Sequence, residues 1–237
     1  MNSDLFERLQ SFRIPASTPI PADAYVVAQL QGVDFDGIFN SPDFEYENAF
    51  DARFGKMMVR TASHLLGGDA CGRFSYTELT SASVLLDRRL LYERWKDVAD
   101  VQNYLVGLSS ARMTLLLDEE ALFICRLYAF SRPDLAVAFF TWRQQEAYLE
   151  ALDGYCTYVL LQKEDNSRDQ VRMLLSGLGP REKEEILQQN SIDFSTVPAW
   201  QRNGTGVSLN PEGGVSVDSS LPRDAAYTAY LQRFFED

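Results

Sequence analysis

Between residues 24 and 130 the spacing of apolar side chains changes from strand period to helix period and back, twice over, and nothing else in the chain restricts its fold as tightly. Residues 24–35 alternate loosely and are rich in Val, Leu and Phe, the pattern of a central strand. From about residue 45 to 66, Phe50, Phe54, Met57, Met58, Thr61 and Leu65 recur at helical spacing, and Gly67-Gly68 supplies the stop. Residues 71–78 and 82–88 read as the two arms of a hairpin. Residues 92–117 are helical again, with Trp95, Val98, Leu105, Leu108 and Met113, and Ala121–Phe130 is a continuous apolar run of strand length. The order strand, helix, strand, strand, helix, strand is the ferredoxin-like split βαβ arrangement. It predicts an α+β fold: an antiparallel sheet with its helices on one face.

The remainder reads as an addition to that unit. Ser131 with Asp134 resembles a capping box, Pro133 suits the first turn, and the helix so opened runs to about Leu152. Shorter helices follow at 167–176, closed by Gly177, and at 180–189, opened by Pro180. Gly206–Val217 reads as a small hairpin around Pro-Glu-Gly-Gly. From Pro222, the residues Tyr227, Tyr230, Leu231 and Phe234 fall on one helical face. The expected organisation is a main domain over residues 1–160, with a helical and hairpin extension over 161–237 packed on it. At 237 residues and 46% hydrophobic content, such a chain can bury a sizeable core.

Composition removes several functions. No apolar run approaches the roughly 20 residues of a membrane span, and the N-terminal residues carry no signal-peptide pattern. A cytoplasmic protein without a membrane partner is the expectation. The formal charge of −12 excludes broad attraction to nucleic acid, so any RNA contact must come from a local patch. Cys71, Cys125 and Cys156 lie scattered in apolar contexts and read as buried free thiols, not as a disulfide framework or zinc site. The lone His64, late in its helix, suits a structural or surface position.

The segment FFTWRQQEAYLEAL, Phe139–Leu152, resembles the aromatic-Trp-Arg-Gln-x-Asp-Ala helix of the tRNA-His guanylyltransferase family, the 3′–5′ RNA polymerases. With that helix placed, other segments fall into register. YVVAQLQGVDF (25–35) is similar to the family's first palm strand, Arg-x-Asp-Gly-Arg-x-Phe-His. YTELTSASVLL (76–86) is similar to its Tyr-x-x-Ser-Asp-Glu-x-Ser hairpin, FICRLYAF to its Phe-Asp-Ala-Arg strand, and residues 176–204 to its C-terminal Pro-x-Trp-x-Arg-x-Gly segment. The resemblance covers roughly residues 3–207. It implies a palm core, a nucleotidyltransfer chemistry at tRNA 5′ ends run by two carboxylate-held metal ions, and assembly as a dimer or tetramer.

Carried over position by position, the resemblance also implies a loss. The first-strand Asp falls on Gln31 and the Asp-Glu pair on Thr80 and Ser81. Ile124 and Glu150 stand where the family has Asp and Asn, while Gly32 and Phe35 match as nucleotide-binding positions; the motif's Arg and His become Val33 and Asp36. Mg²⁺ is a hard cation that takes oxygen ligands, so a site of Gln, Thr and Ser is not expected to hold it. Asp34, Asp36 and Glu78 are the acids near enough to substitute, in which case Mg²⁺ would be the cofactor and 3′–5′ nucleotide addition the activity. Otherwise no metal and no cofactor is expected, and the chain would act by binding nucleotide, tRNA or a partner subunit, or as a scaffold alone. Arg88, Arg89, Arg94 and Lys96, interleaved with Tyr92 and Trp95, and Arg143 beside Trp142 are the candidate RNA contacts.

Overall fold

The computed structural model describes residues 3–35, 49–163 and 167–235. Its helices in chain order are α1 (Ser3–Gln10), α2 (Ala52–Ser63), α3 (Arg88–Arg94), α4 (Val98–Leu117), α5 (Pro133–Leu161), α6 (Arg168–Leu175), α7 (Pro180–Gln189), α8 (Ala199–Asn203) and α9 (Asp224–Gln232). Its strands are β1 (Tyr25–Val33), β2 (Gly72–Glu78), β3 (Ser81–Leu86), β4 (Leu122–Phe130), β5 (Thr205–Leu209) and β6 (Val215–Asp218). All pair antiparallel in one sheet, in the order β4-β1-β3-β2-β5-β6. The first four strands reproduce the expected split βαβ order, and the late hairpin β5–β6 extends the sheet beyond β2.

Because side chains alternate across a strand, β1 feeds two cores. Val26, Ala28 and Leu30 point to one side, where Phe54 and Met58 of α2 and Val101, Leu105 and Met113 of α4 cover them. Val27 points to the other, with Phe74 and Tyr76 of β2 and Tyr128 and Phe130 of β4. The crossover helices thus share one face, as expected. The opposite face is covered as well, by the first half of α5 (Ala136, Phe139, Phe140) and by Tyr227 and Leu231 of α9. The large rings on that face require a cover, since burying each stabilises by roughly 1.5–3 kcal/mol.

Three boundaries differ from the periodicity reading. Of the run expected over about 45–66, α2 takes 52–63, opened by Asp51 as N-cap and ended at His64 before the glycines, and residues 45–48 lie outside the described residues. The stretch expected as one helix over 92–117 is divided between α3, which already begins at Arg88, and α4: Trp95 leaves helical geometry, donates its indole N–H to the Asp69 carbonyl (2.9 Å) and packs on Tyr104. α5 continues past Leu152 to Leu161, because Tyr155, Cys156, Val159 and Leu160 bury against Val171, Leu175, Leu187 and Phe194 in a third core. Its N-cap is Arg132, with Pro133 in the first turn; Asp134 is engaged by Arg132, and no side-chain cap bond forms there. The cysteines are free, Cys71 and Cys156 buried and Cys125 half-buried. His64 is exposed at the end of α2, its Nδ1 bonded to the Arg60 carbonyl (2.9 Å). Among the described residues no helix is long and apolar enough to cross a membrane.

Candidate functional site

Strand register brings the substituted positions together. Gln31 stands opposite Ser81 on β3 and Ile124 on β4, so all three share one face of the sheet in a single cross-strand row. Thr80 closes the β2–β3 turn above them. The Gln31 amide donates to Thr80 Oγ1 (3.2 Å), and the Gly32 backbone N–H donates to the Thr80 carbonyl (2.9 Å). A strand end and a hairpin turn are therefore tied by neutral groups at the place where the resemblance puts three carboxylates.

Of the substitute acids only Glu78 joins them, opposite Ser81, where it carries the row onto β2. Glu78 is 5% exposed and is bonded by the Arg143 guanidinium and by the Ser81 hydroxyl (2.7 Å). Burial pushes its pKa up, opposed by the attraction of Arg143 and the Ser81 bond. Asp34 lies exposed past the end of β1, at φ 53°. Asp36 lies outside the described residues. Among the described residues no group of three His, Cys, Asp or Glu side chains could hold a metal ion. A two-metal clamp needs convergent carboxylates, and this donor set of an amide, two hydroxyls and one ion-paired acid does not fit it.

Arg143 is thereby corrected as a candidate RNA contact. It is 7% exposed, paired with Glu78, and lies over the Trp142 ring (5.1 Å), so it has no face to offer a polyanion. Gly32 and Phe35 serve packing: Phe35 is 3% exposed between Phe54 and Phe123, and a Cβ on Gly32 would stand 2.5 Å from the Phe35 ring. The remaining cations split. Arg94 pairs with Asp69, Arg89 with Glu93 (2.9 Å), Arg88 lies over the Tyr25 ring (4.8 Å), and Lys96 is exposed.

Directly beside the hairpin turn is a cavity of about 310 Å³ between the start of α2, residues Thr77–Thr80 and α8. Phe50, Phe54, Met58 and Trp200 give it apolar walls, and Asp51, Gln201 and Thr205 give it polar ones. Gly55 is small because Trp200 lies on it; a Cβ there would come within 2.8 Å of the indole. Asp51 is the N-cap of α2 and accepts from the backbone N–H groups of Arg53 (2.6 Å) and Phe54 (3.3 Å). Burial works against its carboxylate, but these bonds and the Arg53 guanidinium prevail and hold its pKa below the ordinary value. The sequence reading passed over Asp51 and met Trp200 only as the Trp of the Pro-x-Trp-x-Arg-x-Gly segment, with no site role. Asp before a helical run is an N-cap signal that could have flagged the first; the motif marks the second, which reaches the cavity only through the fold.

No protein-family model matches this sequence. Over 205 residues, 82% of this chain, it is 25% identical to tRNA(His) guanylyltransferase 2 of Arabidopsis thaliana, and it spans 38% of that protein's length. Among solved structures, a bacterial tRNA(His) guanylyltransferase-like protein in complex with ATP superposes with TM-score 0.75 at 17% identity, covering 99% of each chain. The same comparison with a bacterial tRNA(His) guanylyltransferase-like protein in complex with GTP gives 0.69 at 16% identity, over 98% of this chain and 97% of that one. The Saccharomyces cerevisiae tRNA(His) guanylyltransferase gives 0.71 at 18% identity, over 90% and 95%. This chain is therefore built on the palm fold of the tRNA(His) guanylyltransferases.

Proposed function

We propose that this protein binds a purine nucleoside triphosphate at the β2–β3 turn without the metal-dependent nucleotide transfer of the proteins it resembles. The observation that carries the reading is the neutral row Ile124–Gln31–Ser81, closed by the Gln31–Thr80 bond, with Glu78 sequestered by Arg143. The cavity beside it has the apolar walls and few polar groups of a small-molecule site. The two bacterial structures of this fold hold ATP and GTP, which supports a nucleotide as the ligand. Oligomerisation, tRNA contact and a cytoplasmic location belong to the same reading.

Thermal-shift titration with ATP and GTP, with and without Mg²⁺, tests it. The expected result is stabilisation that Mg²⁺ does not change, and that Val59→Phe, which fills the cavity, abolishes. Stabilisation seen only with Mg²⁺ favours displaced metal ligands, and no response favours a scaffold. A labelled-nucleotide assay on 5′-monophosphorylated tRNA tests the chemistry directly. Incorporation of label that Glu78→Ala removes would overturn the non-catalytic reading.

A further inference from the structure

One corner of the sheet stays bare where the rest of that face is roofed, and we propose that it docks a basic amphipathic helix of another protein. The proposal does not rest on the nucleotide reading, whose cavity lies on the α2 face.

Val27, Tyr128 and Phe130 belong to the aromatic face, which α5 covers as far as Glu78, where Arg143 reaches the sheet. Side chains two residues apart on a strand share a face, so Val33 of β1 and Leu122 and Ile124 of β4 lie on that face too. They sit at its uncovered corner. Leu122 stands directly opposite Val33, and Ile124 opposite Gln31. Leu122 is 50% exposed and Ile124 42%, with Val33 half-buried. Arg126, next on this face, is half-buried and leads into the covered part at Tyr128. Three neighbouring apolar side chains left at the surface form a patch, and an apolar patch rimmed by polar residues marks a contact site.

Acids frame it. Asp34 follows β1 immediately, and Glu119 and Glu120 lie just before β4. Glu150 of α5 stands near enough to Glu78 for their charges to act on each other. All four acids are exposed, and none forms an ion pair among the described residues. An apolar centre inside a polar rim is the layout of a protein interface, and a rim of one sign selects its partner by charge. Here it attracts cations and repels phosphate, in a chain whose own charge is −12.

The edge of β4 decides the partner's shape. The Phe123 N–H donates to Ser110 Oγ (3.0 Å) and the Gln102 amide to the Cys125 carbonyl (3.1 Å). Further along, the Ile14 N–H donates to the Leu127 carbonyl (3.0 Å) and the Ala129 N–H to the Phe12 carbonyl (3.0 Å). With these backbone groups taken, an added strand finds no open ladder to extend. A partner has to lie across the face and engage it through side chains. A helix does so with one apolar stripe, its Lys and Arg reaching the rim from either side.

Fluorescence anisotropy on the full chain tests this, with a labelled peptide of Leu and Lys, about 18 residues long so as to make about five helical turns. The expected result is saturable binding that Ile124→Ser, at an exposed position, weakens about tenfold by removing the apolar centre. Glu120→Lys should weaken it about fivefold, whereas Glu212→Lys, the same charge change in the β5–β6 turn, should leave it within about twofold. A peptide with Glu in place of Lys should not bind. Absence of saturable binding overturns the proposal, as does binding that Ile124→Ser leaves intact. Equal weakening by Glu120→Lys and Glu212→Lys would mean attraction to net charge alone, and also overturns it. A dimer of the chain itself, seen in sedimentation velocity and lost in Ile124→Ser, would give the corner to a second copy and reject the proposal. A labelled single-stranded RNA whose binding Ile124→Ser abolishes would reject it in favour of a nucleic acid.

Discussion

At the scale of single residues, the pair Glu78–Arg143 is where the chain is most sensitive. Both side chains are nearly out of water, and removing one partner strands the other's charge. Arg143→Met should therefore cost about 3–5 kcal/mol in urea denaturation, whereas the double change Glu78→Leu, Arg143→Met should recover most of it. A loss in the double variant as large as in the single would show that packing, not charge, is what the pair provides. Beside it, Glu150 has an exposed side chain, yet desolvation by its surroundings first and Glu78 second push it up to about 7, with Arg143 opposing. Its folded pKa exceeds its ordinary value near 4.5, so its contribution is complete below that pH and is lost as the pH rises towards 7. Glu150→Gln should remove this decline, flattening the stability between pH 5 and 7.5 by about 1 kcal/mol once solvent screening is allowed for. None of this was legible in the sequence. The partners Glu78 and Arg143 are 65 residues apart, and an Arg beside a Trp reads equally as a phosphate contact or an ion pair.

Elements were far more legible, because their signals are local. The arms of both hairpins, and helices α6 and α7 with their Gly177 and Pro180 punctuation, lie within a residue or two of where periodicity and turn residues put them. Where the reading missed, a tertiary contact had intervened: the Trp95–Asp69 bond splits α3 from α4, and the third core draws α5 out to Leu161. The β2–β3 turn also carries a local conflict that sequence could have exposed. Leu79 sits at φ 40°, a left-handed conformation that a side chain disfavours. Leu79→Gly should relieve it and raise stability by about 0.5–1 kcal/mol in urea denaturation. A destabilised variant would mean that the Leu79 side chain, on the wall of the cavity, contributes more by packing than it costs in strain.

For the whole molecule, α5 links everything. Its first half roofs the sheet and its second half anchors the third core, and the chain then returns to add β5 to β2 and α9 to the aromatic face. A fragment ending at residue 160 would lose the cover of Phe74 and Tyr76. It should fail to give a cooperative transition, while the full chain unfolds in one step by circular dichroism and by fluorescence. This closure also explains which parts of the candidate site could be read beforehand. Gln31, Thr80 and Ser81 are placed by neighbouring strands of a recognisable order. The cavity needs Asp51 and Trp200, brought together only when the last third of the chain comes home.

The hydrogen-bonded tie between Gln31 and Thr80 has a consequence for sequence change over time. An acid introduced alone at Gln31 or Thr80 would break the bond between them, whereas one at Ser81 would join the Glu78–Arg143 pair, whose guanidinium already lies 3.3 Å from the Ser81 hydroxyl. The three positions are therefore unequal: Ser81, beside a cation, would accept a negative charge more readily than the neutral tie at Gln31 and Thr80.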